Sequence, residues 1–238
     1  MYKISLFDKK LLKEAAVSDE QLNIFIQRRL AGEPIAKIIG KKGFWKDDFI
    51  VSKDVLDPRP DSETLIEAVL EKFPDKNAPL RILDLGTGSG CLLLSLLGEY
   101  KNATGIGIDI SDKALAIANQ NKRNKKANFI QRDMRQNLSD LGKFDMMISN
   151  PPYIPTDEIQ TLERDVKDYD PLLALDGGKD GLELYRALAK QHLAPHLFIE
   201  IGKDQEQQII PLFESEGWQF VQYWKDLGKI TRVLQFKD

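Results

Sequence analysis

Cysteine is nearly absent: Cys91 stands alone among 238 residues, which excludes an internal disulfide framework. It falls in an apolar helix start and reads as a small core residue. Histidine is almost as scarce. His192 and His196 have no third ligand-type neighbour in sequence, so no metal site is expected. No charge sign prevails, since 34 Lys and Arg face 37 Asp and Glu, a formal net charge of −3. That balance gives no global attraction to nucleic acid phosphates, although it permits a local basic patch. No apolar run reaches the length of about 18 residues that reads as a membrane span. The N-terminus, Met1-Tyr2-Lys3-Ile4-Ser5-Leu6-Phe7-Asp8-Lys9-Lys10, is too charged, and its apolar run too short, for a secretory signal. The expectation is a soluble, cytoplasmic protein without membrane or metal.

A hydrophobic content of 42% supports a packed core, and the length suits one large domain or a domain with a small appendage. Ser18 and the spacing of Leu22, Phe25, Ile26 and Leu30 predict a helix over 18–31, stopped by Gly32-Glu33-Pro34. Phe44-Trp45 and Phe49-Ile50-Val51 flank Lys46-Asp47-Asp48 as a short hairpin. Prolines in Asp57-Pro58-Arg59-Pro60-Asp61-Ser62-Glu63 forbid a regular element, and Asp61 or Ser62 can cap a helix over 63–72. Beyond Pro79 the pattern alternates. Strands are expected over 80–85, 104–108, 128–130, 144–148 and 197–201, with helices from the glycine loop through Leu97, over 112–122, 182–193 and 204–215. Runs over 218–224 and 231–236 follow without a helix between them. This order implies an α/β fold: a doubly wound, mostly parallel seven-stranded sheet with one antiparallel edge strand.

Asp84-Leu85-Gly86-Thr87-Gly88-Ser89-Gly90 joins the first strand of that sheet to its first helix. Glycines there allow φ > 0 and close approach of a ligand to the backbone. Asp109 ends the next strand about 20 residues past Gly90, where dinucleotide folds place the acid that holds a ribose diol. The spacing Gly-x-Gly-x-Gly differs from the dinucleotide fingerprint, and no Gly-Lys-Ser/Thr follows, which excludes a P-loop. Asp84 would repel phosphate but accept from an ammonium group. S-adenosylmethionine combines a ribose, an adenine and an amino acid ammonium with no phosphate. Asp133-Met134, after the third strand, falls where the adenine edge would lie. Plainer readings stand beside these: a tight strand–helix turn for the loop, a strand-end residue before a Ser111 cap for Asp109, and a loop cap for Asp133.

Ser149-Asn150-Pro151-Pro152-Tyr153 follows the apolar run Phe144-Asp145-Met146-Met147-Ile148. Two prolines remove two N–H donors and fix two φ angles. What remains is rigid and acceptor-rich, with the Asn150 side-chain oxygen and the Pro151 carbonyl beside an aromatic ring. Such a pocket suits a flat NH₂ group; the plainer reading is a proline-rich turn.

With these motifs the chain resembles the class I S-adenosylmethionine-dependent methyltransferases, with their Rossmann-like sheet. More closely, it resembles the protein-(glutamine) methyltransferases that modify peptide chain release factors. The likeness runs from about Gln27 onward. It includes Arg28-Arg29-Leu30-Ala31-Gly32-Glu33-Pro34, Pro58-Arg59-Pro60-Asp61-Ser62-Glu63, Asp176-Gly177-Gly178-Lys179-Asp180-Gly181-Leu182 and Glu200-Ile201-Gly202. The resemblance implies transfer of a methyl group from S-adenosylmethionine to the side-chain amide of the glutamine in a release factor Gly-Gly-Gln loop. It implies that Gly86, Thr87, Gly88, Ser89 and Gly90 cradle the cofactor's amino acid end, with Asp84 beside them. Asp109 would hold the ribose and Met134, with Asp133, the adenine. Asn150 would lie between cofactor and substrate, and Asn150, Pro151, Pro152 and Tyr153 would grip the amide.

Residues 1–42 then read as a short helical segment, a shortened partner-recognition region. Residues 43–56 form a hairpin linker and residues 57–238 the methyltransferase domain. Two features depart from the family: the stretch ahead of the hairpin is short, and Asp57 stands where many members carry an aliphatic residue.

Arg59 and Glu63 flank the expected site and read either as substrate contacts or as a surface ion pair. Glu200 ends a core strand where such folds bind ligands, and could shape the site. Lys122-Arg123-Asn124-Lys125-Lys126 reads as a solvated helix end, or else as a partner surface. Two other substrates would suit the same pocket, a glutamine of a ribosomal protein and the exocyclic amine of an adenine. The adenine enzymes must unstack a base and bind phosphates, which the acidic balance disfavours. Cofactor binding without turnover is a third possibility.

Overall fold

In the computed structural model, which describes residues 4–238, three helices lead the chain. Helix α1 (Leu6–Ala15) is capped by Ser5, whose side chain accepts from the Asp8 N–H. Helix α2 (Asp19–Leu30) is capped by Ser18 in the same way through Gln21, and α3 (Ile35–Ile39) ends on Gly40 at φ 71°. Sequence reasoning expected α2 and missed the other two. The three pack around Leu12, Phe25 and Ile38. The first three residues of the expected N-terminal segment lie outside the described residues.

Strands β1 (Lys41–Phe44) and β2 (Asp47–Ile50) pair antiparallel, Phe44 opposite Asp47, so the turn is Trp45-Lys46. Trp45 adopts φ 55°, an unusual conformation for a bulky residue. Two bonds hold it there: its N–H donates to Glu63 and its indole Nε1 to Glu99, each at 2.7 Å. A short 3₁₀ turn (Pro60–Ser62) leads into α4 (Glu63–Lys72).

The main sheet follows. Its strands are β3 (Arg81–Leu85), β4 (Thr104–Asp109), β5 (Ala127–Gln131), β6 (Met146–Ser149), β7 (His196–Glu200), β8 (Gln219–Lys225) and β9 (Thr231–Lys237). Between them run α5 (Cys91–Glu99), α6 (Asp112–Asn121), α7 (Arg164–Tyr169), α8 (Glu183–Leu188) and α9 (Glu206–Ser215). The order across the sheet is β5-β4-β3-β6-β7-β9-β8, the expected doubly wound α/β architecture. The first five are parallel, and β9 runs antiparallel to both β7 and β8. The antiparallel strand thus sits one place in from the edge, because the last strand inserts between β7 and β8.

Successive side chains of a strand point to opposite faces, and both faces are covered. Leu83, Met147, Leu197 and Phe236 meet α8 and α9 through Tyr185, Leu188 and Phe213. Ile82, Met146, Phe198 and Val233 meet α4 and α5 through Ile66, Val69 and Leu93. The chain leaves β3 toward β4 and later returns to β3's other side with β6. The C-terminal ends of β3 and β6 therefore flank a topological switch point, where open sheets of this kind bind ligands.

One buried cation ties α3 to the segments that follow β2 and α7. The Lys37 side chain is 2% exposed. Its ammonium lies 2.8 Å from Asp57 and 3.1 Å from Asp170, and donates to the carbonyls of Ser52 and Val55 at 2.8 and 2.6 Å. This explains Asp57 at a position where an aliphatic residue was expected: it is one of two carboxylates that neutralise Lys37. Removing one member of a buried ion cluster strands the others and costs about 3–5 kcal/mol. Lys37→Met is expected to lose that much in urea unfolding; a loss under about 1 kcal/mol would show that the cluster adds no net stability.

Candidate active site

The loop after β3 folds back on β4. The N–H groups of Gly86 and Thr87 both donate to the Ile108 carbonyl at 2.9 Å. Gly86 and Gly90 take φ 77° and 80°, which only glycine adopts without strain. At Gly90 a side chain would also press on Leu94 and Phe129 at 3.1 Å.

Three carboxylates surround this loop. Asp84 is 1% exposed. Its Oδ2 accepts from the Thr87 hydroxyl at 2.6 Å, and among the described residues its Oδ1 has no hydrogen-bond partner. Burial pushes its carboxyl up to about 7, opposed by the Thr87 bond. Asp109 ends β4; its Oδ2 accepts from the Gly88 N–H and its Oδ1 from the Ser111 N–H, both at 2.9 Å. Its carboxyl too is raised by burial. Asp133 is held low by its hydrogen bonds to Arg135, which pairs with it at 2.8 Å. Met134 is buried behind Gly86, its Cε 3.0 Å from where a Gly86 side chain would begin.

Gly86 to Ser89, Asp109, Asp133 and Met134 border one cavity of about 640 Å³ at the C-terminal ends of β3, β4 and β6. Of the residues singled out in the sequence, Gly86, Thr87, Gly88, Ser89, Asp109, Asp133, Met134, Asn150, Pro152 and Arg59 line it. Asp84, Gly90, Pro151 and Tyr153 lie outside its lining. Asp84 supports the loop through Thr87, and Gly90 starts α5. Pro151 is buried between two lining residues. Tyr153 is anchored sideways, its carbonyl accepting from Gln205 Nε2 at 3.1 Å and its ring against Gly202. Glu63 is outside the cavity and serves the hairpin turn through Trp45. Arg59 lines the cavity but is already paired, 2.6 Å from Asp170.

The acceptor edge takes its form from β6. Asn150 follows Ser149, whose hydroxyl donates to the Leu85 carbonyl at 2.6 Å and so fastens β6 to β3. The Asn150 amide nitrogen donates to Ser62 Oγ at 3.1 Å. Among the described residues nothing donates to Asn150 Oδ1, and no backbone N–H to the Pro151 carbonyl. Ser62 was expected to cap α4, yet its side chain makes no cap bond. Sequence spacing could not show this, because the partner is 88 residues away. Pro171, Leu172, Leu173 and Ala174, which form another wall, gave no sequence signal either.

The donor and acceptor set fits S-adenosylmethionine. The orphaned Asp84 Oδ1 lies behind the loop that would receive an ammonium. Asp109 retains lone pairs for two hydroxyls, since each oxygen accepts one N–H. Three carboxylates around the loop would repel a pyrophosphate. The volume lies within the range of small-molecule sites. Among the described residues no group of three or more His, Cys, Asp or Glu could hold a metal ion, and no helix is long and apolar enough to cross a membrane.

A family model described as a methyltransferase domain matches residues 76–194. The release factor glutamine methyltransferase of Caulobacter vibrioides is 45% identical over 222 residues, covering 90% of this chain and 76% of the relative. That of Rhodospirillum rubrum is 43% identical over 224 residues, covering 90% and 68%. The magnesium protoporphyrin IX methyltransferase of Synechocystis PCC 6803, solved with bound SAM, matches 99% of both chains with a TM-score of 0.52 and 18% identity. That likeness is one of fold.

Asp84 and Glu200 make stability depend on pH. Burial raises both carboxyls to about 7, so the folded chain holds protons there that the unfolded chain has lost. Stability therefore falls as pH rises from about 4.5 to about 7, by up to about 1.4 kcal/mol per pH unit for each group. Urea unfolding across this range is expected to show a shallower decline for Asp84→Asn than for wild type. Equal slopes would mean that Asp84 ionises normally in the folded chain.

Proposed function

The chain belongs to the release factor glutamine methyltransferase family, and from that membership we propose that it methylates the side-chain amide nitrogen of the glutamine in a release factor Gly-Gly-Gln motif, using S-adenosylmethionine. The observation that carries this reading is Asn150, which lines the cavity and whose Oδ1 has no donor among the described residues, followed on rigid backbone by the Pro151 carbonyl, to which no backbone N–H donates. A primary amide presents two N–H donors in one plane, and two acceptors side by side match them. Tyr153 holds this edge from behind through Gln205 and Gly202, rather than lining the cavity as its motif suggested.

When bound, S-adenosylmethionine supplies an electrophilic methyl group on a sulfonium. Gly86 to Ser89 would hold its amino acid end, Asp109 its ribose hydroxyls, and Met134 the adenine face. The residues of the chain then have two tasks. An amide nitrogen is a weak nucleophile because its lone pair is delocalised, so position counts heavily; fixing both N–H groups aims the nitrogen and removes the entropy of finding that pose, an effect that can reach about 7–11 kcal/mol. As positive charge grows on the nitrogen, Asn150 Oδ1 and the Pro151 carbonyl stabilise it electrostatically. The proton finally lost by the alkylated amide can pass to water. The leading helices, together with the exposed Leu172 and Leu173 beside the cavity, would meet the release factor. On this reading residues 1–42 serve recognition and 57–238 transfer.

The test offers labelled S-adenosylmethionine with a release factor, its Gly-Gly-Gln→Gly-Gly-Glu variant, and duplex DNA. Label is expected only in the first; label in DNA would favour an adenine substrate instead. Asn150→Ala leaves a desolvated substrate N–H unpaired, which costs about 1–3 kcal/mol. Transfer should slow roughly 5- to 150-fold while calorimetry shows cofactor still bound. Wild-type turnover by Asn150→Ala would refute the role given to that oxygen.

A further inference from the structure

Behind the acceptor pair runs a chain of polar groups that the transfer step leaves unused. Asn150 donates its amide hydrogen to Ser62 Oγ. Ser62 is 3% exposed, its Oγ accepts no cap bond from α4, and its hydroxyl faces Glu200. Glu200, at the end of β7, faces both residues: the side chains of Ser62 and Asn150 each favour its ionised form. The Glu200 side chain is buried, makes no ion pair among the described residues, and its Oε2 has no hydrogen-bond partner. A buried carboxyl without ion pair or full hydrogen bonding is costly. This one stands directly behind the residue whose orientation matters most.

The direction of donation decides what Asn150 offers the cavity. Ser62 has one hydrogen and two lone pairs. When Glu200 is ionised it can only accept, so the Ser62 hydrogen turns toward it and the Ser62 lone pairs receive the Asn150 NH₂. The amide oxygen is then left for the cavity. When Glu200 is protonated it can donate to Ser62. The Ser62 hydrogen is released toward Asn150, whose oxygen becomes the better partner, and the amide can turn over. Its NH₂ would then face the NH₂ of the substrate, donor against donor.

We propose that Ser62 and Glu200 are positioning residues that hold the Asn150 carboxamide with its oxygen toward the substrate, and that protonation of Glu200 releases this hold. The proposal rests on the function assigned above and deepens it. Burial raises the Glu200 carboxyl to about 7, which places the change near neutrality. The other groups facing Glu200 are Arg232 from β9, Asp61 from the 3₁₀ turn, Tyr153 after β6, Tyr185 of α8 and Cys91 of α5. Arg232 is fixed by Asp61 and Asp226, each at 2.9 Å. Tyr185 donates its hydroxyl to the Glu200 backbone carbonyl at 2.9 Å. Burial lifts Tyr153 and Cys91 to about 12 and Tyr185 well above its ordinary value, so these three stay neutral throughout.

The experiment measures kcat for release factor methylation from pH 5.5 to pH 8.5, at saturating S-adenosylmethionine so that titration of Asp84 at the cofactor end does not enter. Wild type is expected to gain activity with rising pH around a midpoint near 7, falling about tenfold per unit below it. Glu200→Gln should lose that limb and run about tenfold slower at pH 8, with cofactor affinity within about threefold of wild type. Ser62→Ala should also lose the limb, and Ser62→Thr, which keeps the hydroxyl, should recover it. If Glu200→Gln does not fold, as shown by lost cofactor binding, the Ser62→Ala and Ser62→Thr pair decides in the same way. A Glu200→Gln profile that matches wild type in height and shape, or a Ser62→Ala profile that keeps the limb, overturns the proposal alone. No transfer by wild type at any pH overturns the assigned function and the proposal together.

Discussion

A carboxamide has a donor end and an acceptor end of nearly the same shape, and the chemistry at this sheet edge depends on which of them Asn150 turns to the cavity. Main-chain geometry alone cannot choose. Ser62, at the start of α4, takes the amide hydrogen and leaves the oxygen free. Around that bond the rest of the edge is arranged. Ser149 fastens β6 to β3, the two prolines remove two backbone donors from the loop, and Gln205 secures Tyr153 from behind. An acceptor pair built on so little freedom needs no reorganisation when an amide arrives, and this is the condition under which fixed dipoles lower a barrier.

The same edge carries a cost. Asp84, Asp109 and Glu200 end or nearly end parallel strands, are sheltered from water, and have their carboxyls raised by burial. None of them forms an ion pair among the described residues. Core packing elsewhere would be better served by apolar residues at these positions. Their placement on β3, β4 and β7, all at one end of the sheet, marks that end as the one built for a ligand. Perturbed acids gathered in a cleft are in general a mark of function rather than of stability. The contrast with Lys37 is instructive. That ammonium is just as buried but is matched by two carboxylates and two carbonyls, and it joins elements rather than serving a ligand.

Much of this could be read from the linear chain. The mostly parallel sheet follows from alternating strands and helices, since parallel strands require crossovers and the glycine loop marks the first of them; the insertion of β9 between β7 and β8 does not. The clustering of Gly86 to Ser89, Asp109, Asp133, Met134 and Asn150 follows as well, because all sit just past strand ends and a parallel sheet brings those ends to one side. Helix α1 is legible in its Ser5 cap, whose side chain accepts from the Asp8 N–H. Glu63 was misplaced because it flanks a motif that does reach the cavity, while its own side chain turns toward Trp45.

Local propensity and hydrophobic period therefore determined the elements, their order and the edge on which chemistry would gather, because each of these depends on neighbours a few residues apart. The tertiary structure alone decided which end of Asn150 is free, why Asp57 is an acid and what Glu200 faces. Those answers depend on contacts between Ser62 and Asn150, Lys37 and Asp170, and β7 and α4. Hydrogen bonds and ion pairs across such separations leave no periodic trace in a sequence; they exist only once the sheet has closed the distance.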